Sequence, residues 1–188
     1  EELVMSFPME MKAFDPITGK VLWTCGGLNP LIYTSPVFSD GIVVAMGGYQ
    51  GNSIGTRVGG TGDVTESHRI WQEVRHNGGI GSGVVLDHHH YYHNSGGVAF
   101  CDSMKTGKTL WKERLPGAGK SWGSLVLVGD NIYSLSQAGD TVVFKASPEG
   151  LKVIAQGDVD EETNSSLAIS NGQVFLRTHK ALWSFGAK

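Results

Sequence analysis

The twelve residues KAFDPITGKVLW, Lys12 to Trp23, hold two apolar stretches separated by a Thr-Gly-Lys turn. The same arrangement returns as VAFCDSMKTGKTLW at 98–111 and, in degraded form, as VVFKASPEGLKVI at 142–154. Apolar alternation on both sides of a glycine-containing turn indicates a β-hairpin. These stretches therefore predict a hairpin that the chain repeats.

A second hairpin alternates with the first, in stretches that start at Thr34, Gly81, Trp122 and Ser165. Each copy has two apolar strands joined by a two-residue turn. The turn pairs are Asp40-Gly41, Asp87-His88, Gly129-Asp130 and Asn171-Gly172. Such turns favour residues that tolerate positive φ. We therefore expect His88 to occupy the left-handed region.

Two hairpins make a unit of four strands, and Trp23, Trp71 and Trp111 recur at intervals of 48 and 40 residues. A four-stranded unit of about 40 residues is typical of a β-propeller blade. Helical periodicity is absent from every window. The sequence thus predicts an all-β propeller of about four to five blades, three complete and one partial at each end. A β-sandwich is the alternative fold.

The strands of each blade are named A to D from the propeller axis outward. Blade one is predicted to have B, C and D at about 2–7, 11–15 and 20–25. Blade two has A near 33–39, B near 42–48, a weak C at 53–58, a glycine-rich loop and D around Trp71. Blades three and four are predicted at about 80–114 and 121–156, and blade five has A, B and C at about 165–170, 173–178 and 181–185.

The unit D-x-x-T-G-K-x-L-W, Asp15 to Trp23, resembles the repeat of the pyrroloquinoline-quinone-like propellers. This family includes quinoprotein alcohol dehydrogenases, an outer-membrane-assembly lipoprotein and secreted bacterial propellers, so the resemblance implies a periplasmic or extracellular bacterial protein. Family members usually close a ring of seven or eight blades. We therefore expect residues 1–188 to be one propeller domain. It is either the C-terminal part of a longer ring or a half that a second copy completes through open blade edges.

In the dehydrogenases of this family, the quinone lies between a tryptophan and a disulfide of adjacent cysteines, beside calcium and an aspartate base. Here the two cysteines, Cys25 and Cys101, belong to different repeats, and Trp122 is the one candidate for stacking on a planar cofactor. We expect no cofactor. The quinone or a divalent metal is the alternative.

Charge and hydropathy restrict the partners. The net charge is −3 and basic residues do not cluster, which argues against a nucleic-acid partner. No apolar run reaches the roughly 20 residues that a membrane helix needs. We expect neither nucleic-acid binding nor a membrane span.

Two motifs raise the question of catalysis. GNSIG at 51–55 matches the nucleophile-elbow pattern, with Ser53 as nucleophile and His68 or His76 as its base. That motif needs a helix after its turn, whereas a glycine-rich stretch and another strand follow here. We expect a connection between strands B and C, and a serine-dependent hydrolase is the alternative.

DHHHYYHN at 87–94 contains four of the seven histidines. Strand alternation puts His88, His90 and Tyr92 on one side of the strand. His88 and His90 are therefore the candidate metal ligands, although we expect no metal site in this stretch. His90 aligns with Val43, Ile132 and Val174, in an apolar slot where a polar side chain needs a partner.

The D-to-A and B-to-C loops of a propeller gather on one face, called the loop face below, and ligand sites usually lie there. The residues expected to bind a ligand or partner on it are Asn29, Arg75, His76, Asn77, Lys120, Trp122, Glu161, Asn164, His179 and Lys180. The function predicted from these patterns is a non-catalytic scaffold that binds a protein or an envelope polymer. The alternatives are an enzyme, either a quinone-type oxidoreductase or a metal- or serine-dependent hydrolase, and a structural half-propeller completed by dimerisation.

Overall fold

A computed structural model of the protein describes residues 1–117 and 119–186. Ala118, in the predicted loop before blade four, and residues 187–188, at the end of the predicted domain, lie outside these ranges. The described residues form five β-sheets with antiparallel neighbours throughout except at one short outer pairing. The predicted all-β propeller is confirmed.

The strands follow the predicted blade order. In chain order the elements of the first two blades are β1 (Leu3–Phe7), β2 (Glu10–Phe14), β3 (Val21–Gly26), β4 (Val37–Ser39), β5 (Ile42–Met46), β6 (Ser53–Arg57), β7 (Gly62–Asp63), α1 (Thr65–His68) and β8 (Arg69–Glu73). Blade three contains β9 (Val84–Leu86), β10 (His89–His93), β11 (Val98–Ser103) and β12 (Thr109–Arg114). Blades four and five contain β13 (Val126–Val128), β14 (Asn131–Leu135), β15 (Thr141–Lys145), β16 (Val153–Gly157), β17 (Ala168–Ser170), β18 (Gln173–Arg177) and β19 (Leu182–Gly186).

The glycine-rich connection between β6 and β8 differs from the predicted loop. Its strand β7 adds to the outer edge of blade one, in a parallel pairing that places Gly62 opposite Trp23. The one-turn helix α1 follows, and Thr65 Oγ1 accepts the backbone N–H of Gly26 at 2.8 Å. Both elements are too short for periodicity to reveal. No helix in residues 1–117 and 119–186 is long and apolar enough to cross a membrane.

The inner strands are only three residues long because the residues before them bond across blades instead. The backbone N–H of Ser35 donates to Ser82 Oγ at 2.9 Å, that of Ser82 donates to Ser124 Oγ at 3.0 Å, and that of Ser124 donates to Ser166 Oγ at 2.8 Å. This serine ladder links blades two to five near the axis. It joins the residues that precede each inner strand to those that precede the next one.

The A-to-B turns have the geometry that their sequences predict. Both residues have positive φ in three of them, including Asp87 at 48° and His88 at 64°. In the fourth, only its first residue, Gly129, has positive φ, at 58°. The first pattern matches a type I′ turn and the second a type II′ turn, which calls for glycine first. The left-handed conformation expected for His88 is confirmed.

The tryptophans of blades two and three dock each of these blades onto the next. Trp71 Nε1 donates to the carbonyl of Met104 at 2.7 Å, and Trp111 Nε1 donates to the carbonyl of Ser147 at 2.8 Å. Each carbonyl lies three residues before the glycine of the next C-to-D turn. The Trp71 ring lies against Gly107, where a Cβ would be 2.7 Å from ring atoms. The Thr-Gly-Lys turn therefore needs glycine for this contact as well as for its φ of 72°.

Blade four departs from the tryptophan pattern by one residue. In all four C-to-D pairings the register shifts just beyond the residue opposite the tryptophan position. In blade four this place is taken by Ala155, opposite Val143. Ala155 follows its turn glycine Gly150 by five residues, whereas Trp23 and Trp111 follow Gly19 and Gly107 by four.

Gly107 and Gly172 have the same φ, so substitutions at these two positions distinguish the docking contact from backbone strain. Gly107→Ala and Gly172→Ala both place a Cβ at a φ of 72°, but only the first meets a neighbour within 4 Å. We expect Gly172→Ala to lower the free energy of unfolding by about 1 kcal/mol and Gly107→Ala by about 1–3 kcal/mol more. Urea unfolding of the two variants measures the difference. Equal losses would show that the tryptophan contact carries no stability.

Candidate functional site: the loop face

Backbone hydrogen bonds join the D-to-A loops to the B-to-C loops at one end of the sheets. His76 N donates to Gly51 O at 2.7 Å, and Gln137 N donates to Lys120 O at 2.7 Å. On blade five, His179 N donates to Glu162 O at 2.9 Å. These bonds assemble the loops into one continuous face, at the end of the blades where the sequence placed it.

The half of this face on blades four and five is polar and acidic. It holds a cavity of about 610 Å³, and four of the predicted residues line it together with neighbouring polar groups. The lining comprises Lys120, Gln137, Ala138, Asp160, Glu161, Glu162, Thr163, Asn164 and His179. Lys180 is exposed just outside the lining, and Trp122 is 43% exposed on the D-to-A loop before blade four.

Glu161 is held within this cavity by bonds of its own. Its Oε2 accepts hydrogen bonds from Thr178 Oγ1 at 2.6 Å and from Trp183 Nε1 at 3.1 Å. The bond from Thr178 lowers the pKa of the Glu161 carboxyl, and the bond from Trp183 acts in the same direction. Glu161 is thus an ionised residue in the wall of the cavity, and its Oε2 already accepts two hydrogen bonds.

The half on blades one to three is aromatic and nearly uncharged. The loops at 27–36, 47–52 and 74–83 contain no Asp or Glu, and Arg75 is their one basic residue apart from His76. Tyr33 and Tyr49 are 43% and 61% exposed and meet edge to face, with ring centroids 5.4 Å apart. We call Tyr33, Tyr49 and Arg75 the aromatic patch.

The backbone under the aromatic patch holds these rings in place. Gly48 N donates to Leu31 O at 2.8 Å, and Asn29 Nδ2 donates to Gly48 O at 3.2 Å. A Cβ at Gly48 would lie 2.1 Å from the Tyr33 ring, so that ring rests directly on the backbone. Asn29, predicted as a binding residue, therefore supports the patch from below.

Backbone strain outside the A-to-B turns is confined to the loop face in the described part of the chain. The non-glycine residues with positive φ there are Met9, Tyr49, Gln50, Arg75 and Asp160. Left-handed conformations of this kind cost about 1–3 kcal/mol each and cluster at functional sites. Tyr49 and Gln50 are consecutive and both have positive φ. The loop tip that carries the exposed Tyr49 ring therefore has a disfavoured backbone conformation.

His76 lies inside the protein rather than on the rim of the loop face. It is 8% exposed, and its Nε2 lies 2.8 Å from Asp102 Oδ2 of blade three. Tyr92 donates its hydroxyl to the same carboxylate oxygen at 3.0 Å. His76 therefore fastens its loop to the next blade, while its neighbours Arg75 and Asn77 are exposed.

His90 belongs to the same buried cluster. It is 2% exposed, pairs across the sheet with Asp102 and packs on Tyr92, with ring centroids 5.1 Å apart. The sequence predicted a polar partner for His90, but its Nε2 has no hydrogen bond within the described residues. A Cβ at Gly83 would lie 2.4 Å from that atom. Gly83 thus makes room for the imidazole in a slot that is otherwise apolar.

The candidate metal ligands do not converge. His88 Nδ1 lies 3.2 Å from Ser39 Oγ on the opposite face, whereas His90 is buried between blades two and three. Residues 1–117 and 119–186 contain no group of three or more His, Cys, Asp or Glu side chains placed to hold a metal ion.

The candidate serine nucleophile is buried and bonded elsewhere. Ser53 is 1% exposed and donates to Ala45 O at 3.2 Å. His68 Nδ1 lies 2.8 Å from Ser67 Oγ, and His76 bonds Asp102, so neither candidate base contacts Ser53. Strand β6 contains Ser53, and no strand-turn-helix elbow forms there.

The cysteines do not form the arrangement that the resemblance implies for quinone binding. Cys25 and Cys101 are both buried and free, and they lie in different blades. The adjacent pair that would cover a quinone is therefore missing from the sequence, and the residues present do not fit that cofactor.

Sequence reasoning missed the two tyrosines of the aromatic patch and the role of Asp102. A local signal existed for Tyr49, which stands in GGYQG between glycines that allow close loop packing. The sequence around Asp102 contains no such local signal, because its partner His76 is 26 residues away and on another blade.

The burial of His90 makes stability depend on pH. Burial lowers the pKa of His90 from the ordinary 6.5 to about 4, so between these values the unfolded chain binds an extra proton. The free energy of unfolding should fall as pH decreases through this window, with about 2 kcal/mol of the loss at pH 5 due to His90. Urea titrations from pH 7 to 4.5 measure it.

His90→Val should flatten this pH dependence, whereas His179→Gln, at an exposed position, should leave it unchanged. Buried His93, whose pKa burial also lowers, supplies part of the remaining slope. If His90→Val keeps the full slope of the parent chain, His90 is not the group that titrates.

Comparison with solved structures identifies the fold. The chain is similar to BamB from Moraxella catarrhalis, with a TM-score of 0.70 and 16% identity over 99% of this chain and 58% of that one. It is similar to the computationally designed Ika8 protein (TM-score 0.75, 15% identity, 99% of this chain and 55% of that one). The designed Ika4 protein matches with a TM-score of 0.69 and 16% identity over 91% of this chain and all of that one. No protein-family model and no curated protein matches the sequence. The chain spans a little over half the length of BamB and Ika8, and these likenesses show a β-propeller fold.

Proposed function

We propose that the chain is a non-catalytic binding module whose loop face docks a protein partner. The observation that carries this proposal is the aromatic patch, in which two exposed tyrosines and one exposed arginine stand on loops that contain no Asp or Glu, with Tyr49 and Arg75 at positive φ. Tyr and Arg are enriched where protein interfaces gain most of their binding energy, and Asp and Glu are depleted there.

The construction of the patch also supports binding. Its loops are fixed by backbone hydrogen bonds, so little conformational entropy is lost when a partner docks. A rigid aromatic platform on one face is what a docking scaffold requires.

Partner and location follow from the resemblance of the repeat rather than from contacts. The likeness to envelope propellers supports a periplasmic or extracellular role, with an envelope polymer as the alternative occupant of the loop face. Completion of the ring by a longer chain or by a second copy stays a prediction. We do not propose the enzyme alternatives, because Ser53 bonds Ala45 O and because His88 and His90 do not converge.

Site-specific photocrosslinking tests the docking face. A benzoylphenylalanine at Asn77, exposed on the same loop as Arg75 of the aromatic patch, should give a discrete protein adduct in extract of the cells that produce the chain. The same group at Lys105, exposed on the opposite face, should give none.

Tyr49→Asn removes the ring while keeping a residue that tolerates positive φ. It should reduce the adduct about tenfold. Arg57→Gln, which is exposed on the opposite face, is the control and should leave the yield unchanged. Equal adducts at both crosslinking positions would contradict the proposal.

A further inference from the structure

An apolar cavity of about 240 Å³, open to solvent, lies between blades four and five, and Thr141, Gln156 and Asp158 line its end near the loop face. Aliphatic and aromatic side chains of both blades form most of its walls. These side chains are Tyr133, Val143, Ala155, Leu167, Val174, Leu176 and Phe185.

The blade-four wall repeats a row that holds a tryptophan in blade three. Tyr133 pairs with Val143, which pairs with Ala155 just before the register shift. In blade three, Tyr91, Cys101 and Trp111 occupy the same three positions, with the same shift after them. Ala155 is therefore the structural equivalent of Trp111.

The blade-five wall repeats the surface on which that tryptophan packs. Leu125, Ile132 and Phe144 of blade four belong to the buried core around Trp111. Their equivalents on blade five are Leu167, Val174 and Phe185, and Val174 pairs with Phe185 as Ile132 pairs with Phe144. The two interfaces thus have matching walls.

Within this row of paired residues, the two interfaces differ in the side chain of the outer strand, where alanine replaces tryptophan. The described part of blade five ends with β19, so the structure describes no C-to-D turn beside Ala155 like the one that contains Ser147. Trp111 fills the space between blades three and four and is 9% exposed. Alanine at position 155 leaves the corresponding space open between blades four and five. We propose that this cavity binds a small planar aromatic molecule of indole size, which occupies the place that Trp111 takes one blade earlier.

Size and polarity favour this class of ligand. Enclosed cavities of about 150 Å³ lined by Leu, Ile and Phe bind benzene, and the apolar walls of this larger, solvent-open cavity consist of similar side chains. It holds a bicyclic ring but not a peptide segment. The site is distinct from the aromatic patch, so the inference stands whether or not a partner docks on the loop face.

Titration with indole tests the inference. We expect indole to bind the chain one to one with a Kd of about 0.1–1 mM, as ring-sized ligands do. Methyl NMR signals of Val143, Val174 and Leu176 should shift on binding. Cyclohexanol, which is similarly small but not flat, should bind at least about fivefold more weakly.

Two substitutions fill the cavity to different extents. Ala155→Trp restores the side chain found in the other blades and should abolish indole binding, and Ala155→Leu should weaken it about tenfold. Ala138→Trp, at an exposed position on the loop face, is the matched control and should leave the Kd unchanged. If Ala155→Trp does not fold, the leucine variant decides.

Three outcomes would overturn the inference. Indole fails to bind the parent chain, or binds the Ala155 variants as tightly as the Ala138 control, or cyclohexanol binds as well as indole. The last result would show a general apolar cavity rather than an aromatic site.

Discussion

The contact between a tryptophan on the outer strand of one blade and the glycine turn of the next is the interaction on which the structure depends. Trp71 places its ring on Gly107 and its N–H on the carbonyl of Met104, and Trp111 repeats the hydrogen bond at Ser147. The serine ladder makes the corresponding connection near the axis. Blades linked at both rim and axis have one relative orientation, and this orientation positions the loops.

The loop face inherits its geometry from these links. His76 reaches from one blade to Asp102 of the next, so the loop that carries Arg75 is fixed by the packing of two blades. His76 N also donates to Gly51 O, next to the left-handed residues Tyr49 and Gln50. Strain is tolerated at this face because the sheets below it are held firmly, and the result is a rigid platform with one aromatic and one acidic half.

Sequence periodicity was enough to predict the blades, the A-to-B turns and the left-handed His88, since these depend on residues close in the chain. It was insufficient for contacts between blades. The burial of His76 depends on Asp102, and the meeting of Tyr33 with Tyr49 depends on how two loops cross. The position of Ala155 was hidden because it follows the turn glycine by five residues rather than the four found in blades one and three.

A double-mutant cycle between Trp71 and Gly107 tests the central contact most directly. If the ring and the turn pack together, Gly107→Ala should cost about 1–2 kcal/mol less unfolding free energy in a Trp71→Ala background than in the parent chain. The loss that remains should equal that of an alanine at positive φ without a neighbour. If Gly107→Ala costs the same in both backgrounds, the tryptophan does not dock on the turn and the account is contradicted.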